Sequence, residues 1–467
     1  MLRILRRMRR RRLHSSSSSA RSWRFGDTTG PQRDNYVPAW RWVGGERWSR
    51  SRCCMSVGGS VDLQLAYGGG TFSVEVPNSL RLDQYAPRKA ARPVDYEHFA
   101  ATLARSGGDS FLAADGLLCL INDGYRNTPT ALMLDWLERM QPGFVGRVDF
   151  LMATGTHKPP TENHLNTILG PFRAQIEPRL AIHDCRDLDA MAVVGRDMFG
   201  ATVHLNRLVL DGRPLLVLGS SEPHYFAGYT GGRKVFYPGL TDLATIERNH
   251  NLANSMDAQP LRLSGNPVAE HFDNLLTLAP TDRTFSVQAV LDADGQMAGL
   301  AAGEMVESFM SATRIADRMF MHRVPERYDI IVCELAPPLD TNLYQAQKAL
   351  ENVQAAVHDR GSVVIVSACN EGMGSPHFFD LAQQWDRENN CALDGQQHFG
   401  SHKLSRVNAM TRRIKVRLVS NMDSMDARKV FYEPLDNLQE FLFQKWNNDA
   451  TLSVAIVHDA GNTVLRT

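Results

Sequence analysis

Short unbroken apolar runs recur along this chain, each closed by a turn and followed by a stretch with helical spacing. GLLCLIN (116–122), VDFLMA (148–153) and PLLVLG (214–219) are the first three. Runs this short, without alternation, fit strands buried on both faces, as in a parallel sheet. Helical spacing follows over 131–141 and 162–169, and a third helix is predicted over 242–251 with Thr241 as its N-cap. Upstream, 61–67 and 71–76 alternate around Gly68-Gly69-Gly70, which predicts a hairpin. A second series begins near Val324. It comprises a strand over 328–333 (YDIIVC), a helix over 343–357, a strand over 361–368 (GSVVIVSA), and further strands over 417–420 and 451–457. The fold class expected is therefore α/β: two α/β domains with mostly parallel sheets, 55–323 and 324–467, with the last strand or helix free to return to the first domain. In such sheets ligands bind beyond the carboxyl ends of the strands. The loops 123–126, 154–157 and 222–224 fall there.

Composition changes this picture at one end. The 467 residues balance 51 basic against 51 acidic side chains, but residues 1–54 hold 14 arginines, no lysine and three acids. The body after that segment is mildly acidic, which argues against nucleic acid as the main partner. Residues 1–54 have transit-peptide composition, and also suit a disordered basic extension or a start placed too early, since Met55 follows directly. The last two readings are preferred and the segment is set aside from the fold. Seven cysteines without regular spacing suggest neither a zinc site nor a disulfide framework, but small buried hydrophobes in a reducing, cytoplasmic setting. No apolar run reaches about 18 residues, so no membrane span is expected.

Candidate chemistry lies in the loops. His157 sits in ATGTHKPPT and His224 in EPHYFAGYTGGRKVFYPG, both just after predicted strands. Two histidines so placed suit a pair of proton-transfer groups. Lys234 follows the turn Gly231-Gly232 in GYTGGRK, a stretch that resembles a phosphate-cradling loop but lacks Walker A spacing; a surface turn is the plain alternative. His250 closes ERNH on the predicted helix, either as a metal ligand or as an ordinary helix histidine. Asp123 and Arg126 stand three apart, as a local ion pair or as an arginine fork aimed at a carboxylate. Gln345 and Lys348 in YQAQK are spaced to share one helix face.

Taken together, DxxR (Asp123, Arg126), GTHK (His157), EPHxFAGYTGGRK…PG (His224, Lys234), the Asn-His pair ending at His250, and YQAQK (Gln345, Lys348) resemble the lactate racemase family that uses a nickel-pincer nucleotide. The likeness extends over most of 56–467. It implies a site in the cleft between two α/β domains. It also implies a cofactor, Ni(II) pyridinium-3-thioamide-5-thiocarboxylic acid mononucleotide, linked to Lys234, with His250 completing the nickel coordination. His157 and His224 would be the acid/base pair. Arg126, Gln345 and Lys348 would hold anionic groups of substrate or cofactor, with Asp123, Gly231 and Gly232 on the cofactor side. The activity implied is racemisation or epimerisation of a lactate-like 2-hydroxy acid by hydride transfer. The partners implied are that small molecule and the proteins that make the cofactor, with neither nucleic acid nor membrane. A homo-oligomer is compatible with this reading.

Two other readings use the same residues. His157, His224 and His250 are enough for a three-histidine zinc hydrolase, which leaves Lys234 and its glycine turn without a task. A non-catalytic nucleotide- or anion-binding module built on GYTGGRK leaves the histidine pair idle. A nicotinamide dehydrogenase is disfavoured, since no GxGxxG follows a strand.

Overall fold

The computed structural model describes residues 59–467 apart from 336, 338, 375, 396, 397 and 399, so the expectations for 1–54 lie outside the described residues. Two six-stranded sheets dominate. The first runs in the order Met297–Gly303, Thr284–Leu291, Leu215–Ser220, Leu118–Asn122, Asp149–Ala153, Leu180–Ile182. It is parallel throughout except at the Met297–Gly303 edge. The second runs Glu433–Pro434, Lys415–Val419, Val357–Val366, Tyr328–Glu334, Ser453–Val457, Arg81–Tyr85, all parallel.

The apolar runs are unbroken because each central strand feeds two cores. Cys119 and Ile121 point into the layer with Phe150, Met152, Leu216 and Leu218, while Leu118 and Leu120 point into the layer with Leu151, Leu215 and Val217. The second sheet divides likewise. Ile331 and Cys333 serve one face; Ile330 and Val332 serve the other. The predicted hairpin forms as Ser60–Tyr67 paired with Gly70–Pro77, and its Leu63, Leu65, Val74 and Val76 cover that second face.

Several element limits shift for local reasons. The helix at 343 ends at Val353 and gives way through a 3-10 turn to the strand Val357–Val366, so the expected helix over 343–357 is too long. The helix Leu243–Asn251 is capped by Asp242, which accepts from the Thr245 N–H at 2.9 Å, rather than by Thr241, whose hydroxyl donates to the His204 carbonyl. Asp242 wins because its carboxylate is one position closer to the first helical turn. Arg81–Tyr85 precedes the whole first sheet in sequence but pairs with Ser453–Val457 at the edge of the second. The final strand Val464–Arg466 pairs in parallel with Met321–Arg323, at the end of the 55–323 segment. Four of the five described cysteines, Cys119, Cys185, Cys333 and Cys369, are buried, as small hydrophobes should be, and Cys391 is exposed.

Candidate active site

The strands Leu118–Asn122, Asp149–Ala153 and Leu215–Ser220 are neighbours in the first sheet, so the loops leaving their carboxyl ends meet in space. They line one wall of a cavity of about 290 Å³ with Asp123, Arg126, His157 and His224. The Gly231–Gly239 segment and the helix Leu243–Asn251 add Lys234 and His250. The opposite wall comes from the second series: Tyr344, Gln345 and Lys348 on the helix Leu343–Val353, and His402 and Lys403 on the helix Ser401–Thr411. All ten residues singled out from sequence therefore line one cavity.

The two loop histidines are hydrogen-bonded in opposite senses. His157 Nδ1 lies 2.6 Å from Asp123 Oδ2. A carboxylate only accepts, so the Nδ1 of His157 carries a hydrogen, and in the neutral ring Nε2 holds the lone pair. His224 Nδ1 instead receives the Ala227 N–H at 3.2 Å, so in the neutral ring Nε2 bears the hydrogen. Burial, then the cations Lys234, Arg126 and Lys348, hold His224 well below the usual imidazole range. The second oxygen of Asp123 accepts the Tyr125 N–H at 3.1 Å. Asp123 thus orients His157 and does not form the local pair with Arg126 that its spacing allowed.

Lys234 is held by tight packing of its glycine turn. A methyl group on Gly231 would come within 2.6 Å of the Ser220 carbonyl, and one on Gly232 within 2.6 Å of the Phe309 ring. Both glycines also have positive φ, +79° and +50°, which a side chain would strain. The Gly232 N–H donates to Gln288 Oε1 at 2.9 Å, so this amide is not directed at an anion. This packing fixes the backbone just before Lys234. Burial, then Arg126, Arg233 and Lys348, push the Lys234 amine well down, towards the neutral nucleophilic form.

His250 donates from Nδ1 to the Ile246 carbonyl at 2.9 Å, so in the neutral ring Nε2 is the nitrogen without a hydrogen, the tautomer that ligation through Nε2 requires. Burial and Lys234 hold this ring at about 3, so it is neutral at physiological pH, as ligation requires. Among the described residues no group of three or more His, Cys, Asp or Glu is placed to share a metal ion. That geometry speaks against a three-histidine zinc centre and suits a metal that brings most of its own donors. A primary amine pushed towards its neutral form, a single imidazole with its tautomer set, and basic side chains for a phosphate or carboxylate fit the nickel-pincer nucleotide.

Three members of the site had no motif to announce them. Gln288 comes from an inner strand of the first sheet and braces the glycine turn. His402 and Lys403 stand on a helix buried at every position from Ser401 to Asn408. The available signal was charge without amphipathy: a His-Lys pair and Arg406 on a helix with no polar face to place in water. Arg406 holds both oxygens of Glu351 at 2.7 Å, and its remaining nitrogen donates to the carbonyls of Ala253 and Ser255, just beyond His250. This fully buried pair fixes the helix that carries His402 and Lys403 against both walls.

Comparison with known proteins agrees with this architecture. The lactate racemase N-terminal domain model matches residues 67–260 and the C-terminal domain model 325–425. The lactate racemase of Thermoanaerobacterium thermosaccharolyticum is 25% identical over 60% of this chain, and that of Lactiplantibacillus plantarum 28% identical over 54%. These matches span 65% and 58% of the relatives' own lengths, under two thirds of either. In three dimensions the chain resembles the lactate racemase apoprotein of T. thermosaccharolyticum, with a TM-score of 0.75 at 20% identity, covering 87% of this chain and all of that one. A Thermotoga maritima protein follows at 0.62 and 15%, covering 81% and 99%. With both domain models matched in order and the fold reproduced, the chain belongs to the lactate racemase family.

Proposed function

We propose that this protein is an isomerase that inverts the hydroxyl-bearing carbon of a 2-hydroxy carboxylic acid with a nickel-pincer nucleotide. Lys234 would hold that group covalently and His250 would ligate its metal. When bound, the group supplies a hydride acceptor for the substrate carbon. The protein's own share is proton transfer, charge and position. Arg126 and Lys348 would grip the substrate carboxylate, with Gln345 beside them on the same helix face. The lone pair on His157 Nε2 suits it to take the hydroxyl proton of one enantiomer. The hydrogen on His224 Nε2 would bond to the substrate oxygen on the other side, and the ring would return a proton there as its imidazolium, since a neutral ring that gave up this hydrogen would be left as an imidazolate. After each inversion the two rings have exchanged roles, as a reaction running from either enantiomer requires.

The observation that carries this reading is the opposite hydrogen bonding of the two histidines in one cavity with a lysine that burial pushes well below its usual range. The test is to produce the protein alongside the cofactor-forming proteins and measure its intact mass and its action on single enantiomers. Expected are a mass above that of the sequence, absent in Lys234→Ala, and loss of optical purity by chiral separation. Active protein of unmodified mass and without nickel would overturn the cofactor assignment. Loaded protein that racemises no 2-hydroxy acid would overturn the activity.

A further inference from the structure

Four basic side chains line the cavity, Arg126, Lys234, Lys348 and Lys403, and among the described lining residues the one carboxylate, Asp123, is committed to His157. The proposed function employs three of them. Lys403 is left over, and it is the most deeply placed, at 1% exposure. Its Nζ donates to the Tyr344 carbonyl at 2.7 Å and sits 3.9 Å from the Tyr344 ring centroid and 4.8 Å from that of Tyr225. Among the described residues this amine has no salt bridge, and one hydrogen bond uses one of its three N–H groups. Glu351, whose field reaches it, has both oxygens engaged by Arg406. His402 stands beside it, also buried, with Nε2 3.4 Å from the Tyr225 hydroxyl.

Burial, then Lys348, push this amine well below the usual lysine range, so its two spare N–H groups are left for an incoming anion, whose charge would favour the protonated form. A monocarboxylate held by Arg126 and Lys348 leaves those groups unused. We propose that Lys403, with His402, forms a second anion subsite in this cavity, and that the substrate is a 2-hydroxydicarboxylic acid whose distal carboxylate it receives. The inference rests on the proposed racemase reading for its chemistry but not for its binding.

Calorimetric titration of the cofactor-free protein with malate, 2-hydroxyglutarate and lactate tests the binding. The dicarboxylates should bind at least about 10-fold more tightly than lactate. Lys403→Met should reduce that ratio by about 10- to 100-fold, the scale of one charge-assisted hydrogen bond. Lys403→Arg should retain most of the ratio, and it guards against a Met variant that fails to fold. Equal affinity for lactate and the dicarboxylates, or a Met variant that weakens all three alike, would overturn the subsite. A Met variant of the loaded protein that loses the cofactor mass while keeping dicarboxylate selectivity would assign Lys403 to the nucleotide instead, and would equally overturn it. Racemisation by the loaded protein then separates the two ideas. Selective dicarboxylate binding without turnover would leave the subsite standing and remove the racemase; racemisation of lactate alone would do the reverse.

Discussion

The Asp123 carboxylate meets Nδ1 of His157 at 2.6 Å, so an acid at the end of one strand fixes the tautomer of a histidine at the end of the next. Asp123 is buried at 3% exposure, which removes the competition of water for this contact. Asp123→Asn should keep the fold and lower turnover by about 100-fold, the usual scale of general acid–base loss. Substrate KM should change little, since the carboxylate holds the ring and not the substrate. Asp123→Glu should recover part of the rate. An Asn variant with full turnover would detach Asp123 from the chemistry.

The opposite hydrogen bonds of His157 and His224 predict different defects in their alanine variants. The overall equilibrium is fixed, so each variant must lose steady-state efficiency equally from both enantiomers, by about 100-fold or more. Rapid quench of a single turnover should separate them. His224→Ala should still form 2-keto acid from one enantiomer and His157→Ala from the other. The same enantiomer reacting in both variants would refute the division of labour.

Lys348 gives the pH dependence of substrate capture. Burial, then Arg126, hold it at about 8. Its charged form exists below that value and disappears as pH rises through it. Carboxylate affinity should therefore be flat from pH 6 to 7 and weaken above about 8, seen as a rising KM. Lys348→Arg, which keeps its charge throughout this range, should abolish the dependence. A KM that stays flat to pH 9.5 in the wild type would exclude Lys348 from carboxylate binding.

Glu351 and Arg406 are fully buried and bonded through two contacts of 2.7 Å. Removing one partner leaves a charge without compensation. Glu351→Ala should cost about 3–5 kcal/mol of unfolding free energy in urea titrations. It should also loosen the helix Ser401–Thr411, seen as faster hydrogen exchange there and at Leu252–Asn254, to which Arg406 also bonds. A loss under about 1 kcal/mol would show that the pair is not a structural tie.

The sequence alone determined the central strands beside the site and the residue types in the loops that follow them. Apolar runs such as GLLCLIN and VDFLMA are legible because a strand buried on both faces has no polar position to interrupt it. His157, His224 and Lys234 are legible because they stand in glycine- and proline-marked turns directly after such runs. Tertiary structure decided what these residues face. Nothing local tells Asp123 to choose His157 over Arg126, three residues away, because that choice depends on adjacent parallel strands ending side by side. Nothing local places Arg81–Tyr85 at the edge of the second sheet, since strand pairing over such separations is settled by closure of the whole sheet. Lys403 was invisible for the same reason: a lysine in sequence reads as solvated, and only the packing of two walls around it shows a buried amine bonded to the Tyr344 carbonyl.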